Sequence, residues 1–228
     1  MDLFSVEFWT ALATIVFIDL ILAGDNAIVI GLAAKNLPKH QQKKAVFYGT
    51  FGAIFIRALA TIFVVYLLKI PFLQLAGGLL LIWIAYKLLV QEEEHDIQAG
   101  SSLFAAIRTI IIADAAMGVD NVIAVAGAAH GSIVLVVLGL LISIPIVVWG
   151  STLFITLTDK YPFIIYIGSG ILAYTAAKMI THDKKLVHFF EDNSYLTWLL
   201  VIIVVVGVLA GGKMVKERKR RQRKTEAH

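Results

Sequence analysis

The chain has 228 residues, of which 59% are hydrophobic and 16% charged, with a mean hydropathy of +0.85 and a formal net charge of +4 at pH 7. This apolar fraction is more than the interior of a soluble domain of this length can hold, so the chain is predicted to be a membrane protein. The absence of cysteine excludes disulfides, thiolate metal sites and cysteine nucleophiles.

Seven apolar runs are long enough to cross a hydrocarbon core of about 30 Å as α-helices. The first run lacks the basic leader of a cleavable signal peptide, so it is expected to be retained. The predicted fold class is all-α, a polytopic transmembrane helix bundle. In chain order, the spans are expected near residues 8–34, 45–68, 70–90, 103–130, 132–157, 162–180 and 196–212.

Lys and Arg are concentrated in the loop 35–44 and in the tail after Gly212, which seven spans place on the same side of the membrane. Cytoplasmic loops carry an excess of these residues. We therefore expect a multi-pass protein of the inner or plasma membrane, with the N-terminus outside and the C-terminus cytoplasmic. The basic charge is interpreted as an orientation signal and not as a nucleic-acid surface.

Two shifts of the sequence indicate an internal repeat. A shift of 95 residues places the stretch 18–34 on 113–129, and a shift of 91 places ATIFVVYLLKIPF (60–72) on STLFITLTDKYPF (151–163). Because each repeat has three helices, the halves must cross the membrane in opposite senses, as in many secondary transporters with a midplane site. The predicted organisation is a first repeat at 1–90, a second, inverted repeat at 91–181, an external loop with a seventh helix at 182–212, and a basic cytoplasmic tail at 213–228.

Each repeat carries an acidic motif inside an apolar span: an Asp, five residues and then Asp-Asn. An ionised Asp at the bilayer centre costs about 2.5–3.5 kcal/mol on insertion scales, so four of them need compensation. Carboxylate and amide oxygens suit Mn²⁺, Mg²⁺ or Ca²⁺ and suit Zn²⁺ or copper poorly. The candidate metal ligands are Asp19, Asp25, Asn26, Asp114, Asp120 and Asn121.

The polar side chains of one motif can face the same point only if the helix loosens within it. Gly24 and Gly118, which lie one and two residues before the second Asp of their motifs, are the candidate helix breaks, although glycine in a membrane helix can instead serve close packing. Arg57, in the middle of the second span, is the candidate countercharge and is expected to pair with a motif Asp when no ion is bound. The alternative for Arg57 is a purely structural ion pair or a side chain that reaches into a cavity.

The doubled motif, DLILAGDNA and DAAMGVDNV, together with the repeated three-helix plan, resembles the TerC family of integral membrane proteins, and within it the short, riboswitch-associated, YjbE-like branch. The resemblance covers nearly the whole chain. It implies that the six motif residues form a metal site and that the protein is a manganese exporter. Mn²⁺ is thus the expected transported ion, while the ligand types alone do not separate it from Mg²⁺ or Ca²⁺.

The expected function is therefore secondary transport of a divalent cation across the bilayer, without enzymatic activity. Two other classes remain open at this stage: an intramembrane aspartyl protease, which also places Asp residues on two helices, and a non-transporting metal-sensing membrane subunit. The acidic segment 91–96 and His130 are weaker candidates for gathering or releasing the ion, and their usual roles are a solvated loop and an interfacial residue.

Overall fold

The structure is a computed structural model that describes residues 5–67, 69–90, 99–129 and 132–226, and these residues form only helices and the turns between them. The helices are α1 (Val6–Ala34), α2 (Lys39–Ile62), α3 (Val64–Leu67), α4 (Leu73–Val90), α5 (Ala99–Ala128), α6 (Ile133–Lys160), α7 (Ile164–Thr181), α8 (Val187–Asp192) and α9 (Ser194–Glu226).

The predicted all-α membrane bundle is confirmed. Within the described residues, five helices are long and apolar enough to cross a membrane, and the number is seven when α1 and α5, which are both bent, each count as one span. The tryptophans Trp9, Trp83, Trp149 and Trp198 are all exposed on the outer surface of the bundle. An outer surface of large apolar side chains is what a lipid environment requires.

Two spans end elsewhere than predicted. The second was expected to continue to residue 68, but α2 ends at Ile62, and Phe63 leaves the helical conformation before the short α3 begins. The seventh was expected to end near 212, but α9 continues through the basic segment to Glu226. Lys, Arg and Glu are good helix formers, and Lys213 and Glu217 add an ion pair one turn apart, so charge does not interrupt this helix.

The packing joins helices from the two predicted halves. α1 packs mainly against α6, α2 against α5, and α4 against α7, while α9 lies across α4 and α7. A small hydrophobic cluster surrounds Ile15 and Leu140, near the start of α1 and of α6. A larger cluster includes Leu32, Leu81 and Leu172 and covers the opposite end of the bundle.

Asp183, which the sequence analysis does not single out, fixes the start of α4. Its buried carboxylate accepts hydrogen bonds from the backbone N–H of Leu75, at 3.1 Å, and of Lys185, at 2.9 Å. Leu75 lies in the first turn of α4, where free N–H groups and the helix dipole favour a negative charge. The turn after α7 is thereby attached to α4.

Candidate functional site

The centre of the candidate site is an ion-paired triad of Asp19, Arg57 and Asp114. Asp19 comes from α1, Arg57 from α2 and Asp114 from α5, so that the two acids belong to different predicted halves. Arg57 Nη1 donates to Asp19 Oδ1 at 2.6 Å, and Arg57 Nη2 donates to Asp114 Oδ1. The three residues are only 1%, 5% and 6% exposed, respectively. Arg57 thus bridges the two carboxylates inside the bundle.

The charges of the three side chains in the triad do not cancel. Two carboxylates and one guanidinium leave one negative charge, and Asp114 Oδ2 has no hydrogen-bond partner. Buried charges are tolerated only when they are paired, and removing one member of such a pair costs about 3–5 kcal/mol. The triad therefore holds together through Arg57 while retaining acceptor capacity and charge for a cation.

Asn26 adds a second unsatisfied group in α1. Its side chain is buried, and neither its amide oxygen nor its amide nitrogen has a hydrogen-bond partner. Several buried hydroxyl groups are satisfied locally, because Thr61, Ser143 and Ser151 each donate to a carbonyl four residues earlier. The buried hydroxyls of Thr50 and Ser169, like Asn26, have no partner. A buried polar group without a partner costs about 1–3 kcal/mol, so Asn26 has an oxygen available to a ligand.

The remaining motif residues do not all join the triad. Asn121 is buried in α5, whereas Asp25 is half-buried and its Oδ2 accepts a 2.6 Å hydrogen bond from Thr175 Oγ1 of α7. The side chain of Asp120, the segment 91–96 and His130 lie outside the part of the chain that the structure describes. Among the described side chains, no three acidic or histidine groups are close enough together to hold a metal ion.

Both motif helices bend at the motif. The direction of α1 changes by 47° between the segments Val6–Asp19 and Gly24–Ala34, and that of α5 changes by 62° between Leu103–Gly118 and Asn121–Ala128. A methyl group added to Gly24 or Gly118 would meet no atom within 4 Å. These two glycines are therefore not close-packing positions, and each lies directly beside a bend.

The comparison with protein families concerns this same region. The model of the integral membrane protein TerC family matches residues 4–220, which include α1 to α7, the triad and most of α9. The chain belongs to the TerC family. No solved structure matches it.

Three membrane proteins illustrate how this TerC protein relates to others. YjbE of Bacillus subtilis is 48% identical over 89% of this chain and 94% of its own length. YkoY of the same organism is 25% identical over 96% of this chain and 78% of its own length. YgdQ, an inner membrane protein of Escherichia coli K12, is 30% identical over 52% of this chain and 58% of its own length. The names of these three relatives describe membrane proteins and specify no transported substrate.

Sequence reasoning on this TerC protein missed Thr175. The internal repeat aligns Thr175 with Ile84, so the hydroxyl is a departure from the repeat. That departure was the available signal. What the sequence could not provide is the 2.6 Å contact with Asp25, because 150 residues separate the two positions.

Proposed function

We propose that this TerC family protein is a secondary transporter that exports a divalent cation, with Mn²⁺ as the cargo. The observation that carries the proposal is the buried triad, in which one acid from each predicted half is held by Arg57 and the second oxygen of Asp114 has no partner. Intramembrane acids mark ion pathways when they face the interior of a bundle. The choice of Mn²⁺ over Mg²⁺ or Ca²⁺ rests on the family resemblance.

In the proposed mechanism, the guanidinium of Arg57 occupies the cation site when no ion is bound. The ion displaces the guanidinium from Asp19 and Asp114, and Arg57 returns to them when the ion leaves. Asn26 and Asn121 supply neutral oxygens, and Asp25 and Asp120 complete the ligand set or pass the ion on. Because Asp and Asn ligands are oxygen donors, the site suits a hard cation.

The packing supports two inverted three-helix halves, at 1–90 and 91–181. A twofold relation that exchanges α1 with α5, α2 with α6, and α4 with α7 turns the α1–α6 contact into the α5–α2 contact. Both contacts are extensive, and α4 and α7 pack on each other, as that relation requires. Alternating access would then occur by rocking of one half against the other, in a plasma-membrane protein with an external N-terminus.

The triad favours a transporter over an aspartyl protease. An aspartic dyad shares one proton and activates one water between two carboxyl groups. Here the guanidinium of Arg57 stands between Asp19 and Asp114 and donates to both, so it occupies the position that such a water would need.

The test of the proposed function is Mn²⁺ flux in proteoliposomes that contain the purified full-length chain, with and without an imposed pH gradient. Protein-free liposomes are the control, and Mg²⁺ and Ca²⁺ are measured in parallel. Mn²⁺ flux above the control supports the proposal, and flux of Mg²⁺ or Ca²⁺ alone would correct the cargo. Specific Mn²⁺ binding without flux would favour a metal-sensing subunit, and cleavage of a membrane peptide without flux would favour the protease.

Thr175→Val is expected to reduce Mn²⁺ flux about tenfold, because a hydrogen bond to a carboxylate contributes about 1.5 kcal/mol at the lower end of its range. Thr175→Ser keeps the hydroxyl and should retain most of the flux. The control is Thr156→Val, since Thr156 is exposed and donates only to the carbonyl of Thr152. Equal flux in Thr175→Val and wild type would remove Thr175 from the site.

Gly24→Ala and Gly118→Ala are expected to reduce flux about fivefold without destabilising the protein. Alanine favours a straight helix over glycine by about 1 kcal/mol, and the added methyl group meets no neighbour in this structure. Gly207→Ala in α9 is the matched control, because its site is equally open and lies outside the two halves. A lower melting temperature in either variant would indicate a packing role in place of a flexible bend.

A further inference from the structure

Two phenylalanines that the internal repeat makes equivalent occupy opposite environments. The 91-residue shift aligns Phe63, at the end of α2, with Phe154, near the end of α6. Phe154 is partly buried and packs against the larger hydrophobic cluster. Phe63 is 53% exposed. A repeat with equal halves would give them equal surroundings.

The ring of Phe154 packs directly against two glycines. A Cβ atom added to Gly31 of α1 would lie 2.6 Å from Phe154 Cδ1, and one added to Gly168 of α7 would lie 2.8 Å from Phe154 Cζ. Both distances are shorter than any real contact allows, so the ring fits only because these positions lack side chains. The ring thereby fills the space between α1 and α7 at the end of the bundle where α6 ends.

The equivalent region at the other end is open. A cavity of about 320 Å³ lies between the ends of α2 and α5, α3 and the start of α6, and it is lined in part by Ala58, Thr61 and Ala126. Ala58 and Thr61 lie one and four residues after Arg57. Val137 in the cavity wall is 40% exposed, whereas its equivalent, Val46, is 2% exposed.

The backbone departs from regular helix at two positions of the open end, whereas the aligned positions at the other end are regular. α2 stops at Ile62, whereas the aligned part of α6 remains helical to Lys160. Phe72 has a φ of +58°, which a bulky residue rarely adopts, whereas the aligned Phe163 has an ordinary φ of −65°. The first half therefore departs from regular helix at the place where its phenylalanine faces outward.

We propose that Phe63 and Phe154 are paired gates that close the two ends of the site alternately. In this structure Phe154 is closed and Phe63 is open. In the opposite state, Phe63 occupies the space beside Ala126 and Gly77, the equivalents of Gly31 and Gly168, and Phe154 leaves its seat. The carbonyl oxygen of Ala116 and the methyl group of Met179 now lie against Gly77. The opposite state therefore requires α5 to shift beside its bend, and the flexible methionine to move aside. This proposal rests on the proposed transport function.

The test uses two pairs of cysteines in a chain that has no cysteine of its own. The first pair is Gly31→Cys with Phe154→Cys, where the ideal Cβ of residue 31 lies 3.2 Å from the Cβ of residue 154, slightly shorter than the roughly 3.5–4.5 Å found in disulfides. The second is the equivalent pair, Ala126→Cys with Phe63→Cys. In metal-free proteoliposomes under mild oxidant, the first pair should cross-link at least fivefold more than the second.

Addition of Mn²⁺ together with an imposed gradient should raise the yield of the second pair several-fold and lower that of the first. The proposal is overturned if the first pair fails to cross-link, if the second reacts equally without metal, or if the second reacts under no condition. If the two cross-links alternate with Ca²⁺ or Mg²⁺ and not with Mn²⁺, the gating role of the two phenylalanines is supported and Mn²⁺ is not the transported ion. Mn²⁺ flux without alternation of the two cross-links would contradict the gating role of the two phenylalanines and leave the proposed transport function standing.

A second measurement avoids the double substitution. Val46→Cys should react about tenfold faster with a soluble thiol reagent when Phe154 is also replaced by alanine, because the ring seals that end. Phe63→Ala should leave this rate unchanged in metal-free protein. Equal rates with and without the Phe154 ring would overturn its role as the closed gate.

Discussion

Replacing Asp19 or Asp114 by asparagine is expected to reduce Mn²⁺ flux in proteoliposomes by at least about 100-fold. Each change removes a charged ligand worth about 3 kcal/mol to a bound cation, and every 1.4 kcal/mol corresponds to a factor of ten. Because the two acids come from different predicted halves and contact the same guanidinium, the two variants should lose similar amounts of flux.

The matched control is Asp159→Asn, since Asp159 is exposed near the end of α6 and should carry no cargo. Each variant should elute from size exclusion as wild type does, which separates loss of flux from loss of folding. Flux at the wild-type level in both Asp19→Asn and Asp114→Asn would show that the triad does not hold the ion.

Arg57→Met is expected to lower the melting temperature of metal-free protein by on the order of 10 °C. The substitution leaves two buried carboxylates without their cation, which costs about 3–5 kcal/mol, and about 1 kcal/mol corresponds to roughly 2–4 °C for a chain of this size. Added Mn²⁺ should restore much of this loss, because an ion that binds only the folded protein stabilises it by mass action.

The Mn²⁺-dependent rise in melting temperature should therefore be larger in Arg57→Met than in wild type. Flux should nevertheless fall, because no guanidinium remains to displace the ion and release requires weak binding. Arg108→Met is the control, since Arg108 is exposed on α5. A rise no larger than that of wild type would mean that Arg57 and the ion do not compete for the same carboxylates.

The lengths of the apolar runs were sufficient to predict the class of fold and the approximate position of the spans. Apolar length is a local property, so α4 and α7 lie close to their predicted bounds. Helix ends were less predictable. The end of α2 falls within an apolar run, where no composition change marks it, and the basic residues after Gly212 continue α9 although they lie past the apolar segment.

The candidate site could be assembled from the sequence only in part. The cost of burying charge in hydrocarbon made Asp19, Asp114 and Arg57 conspicuous, because few ionisable residues occur in the spans. The partner of Asp25 and the capping role of Asp183 depend on which helices are neighbours, and a single chain of apolar helices does not reveal this. The different environments of Phe63 and Phe154 are a property of one conformation, and the sequence pairs the two residues as equals.

The bridging guanidinium also determines how voltage acts on the proposed transport cycle. With Arg57 between its two acids, the empty triad carries one negative charge, and after a divalent ion enters it carries one positive charge. One elementary charge then moves through the electric field during export and another during the return of the empty protein, each worth about 2.3 kcal/mol per 100 mV. The electrical work is thereby divided equally between the two half-cycles, and neither moves both charges of the ion.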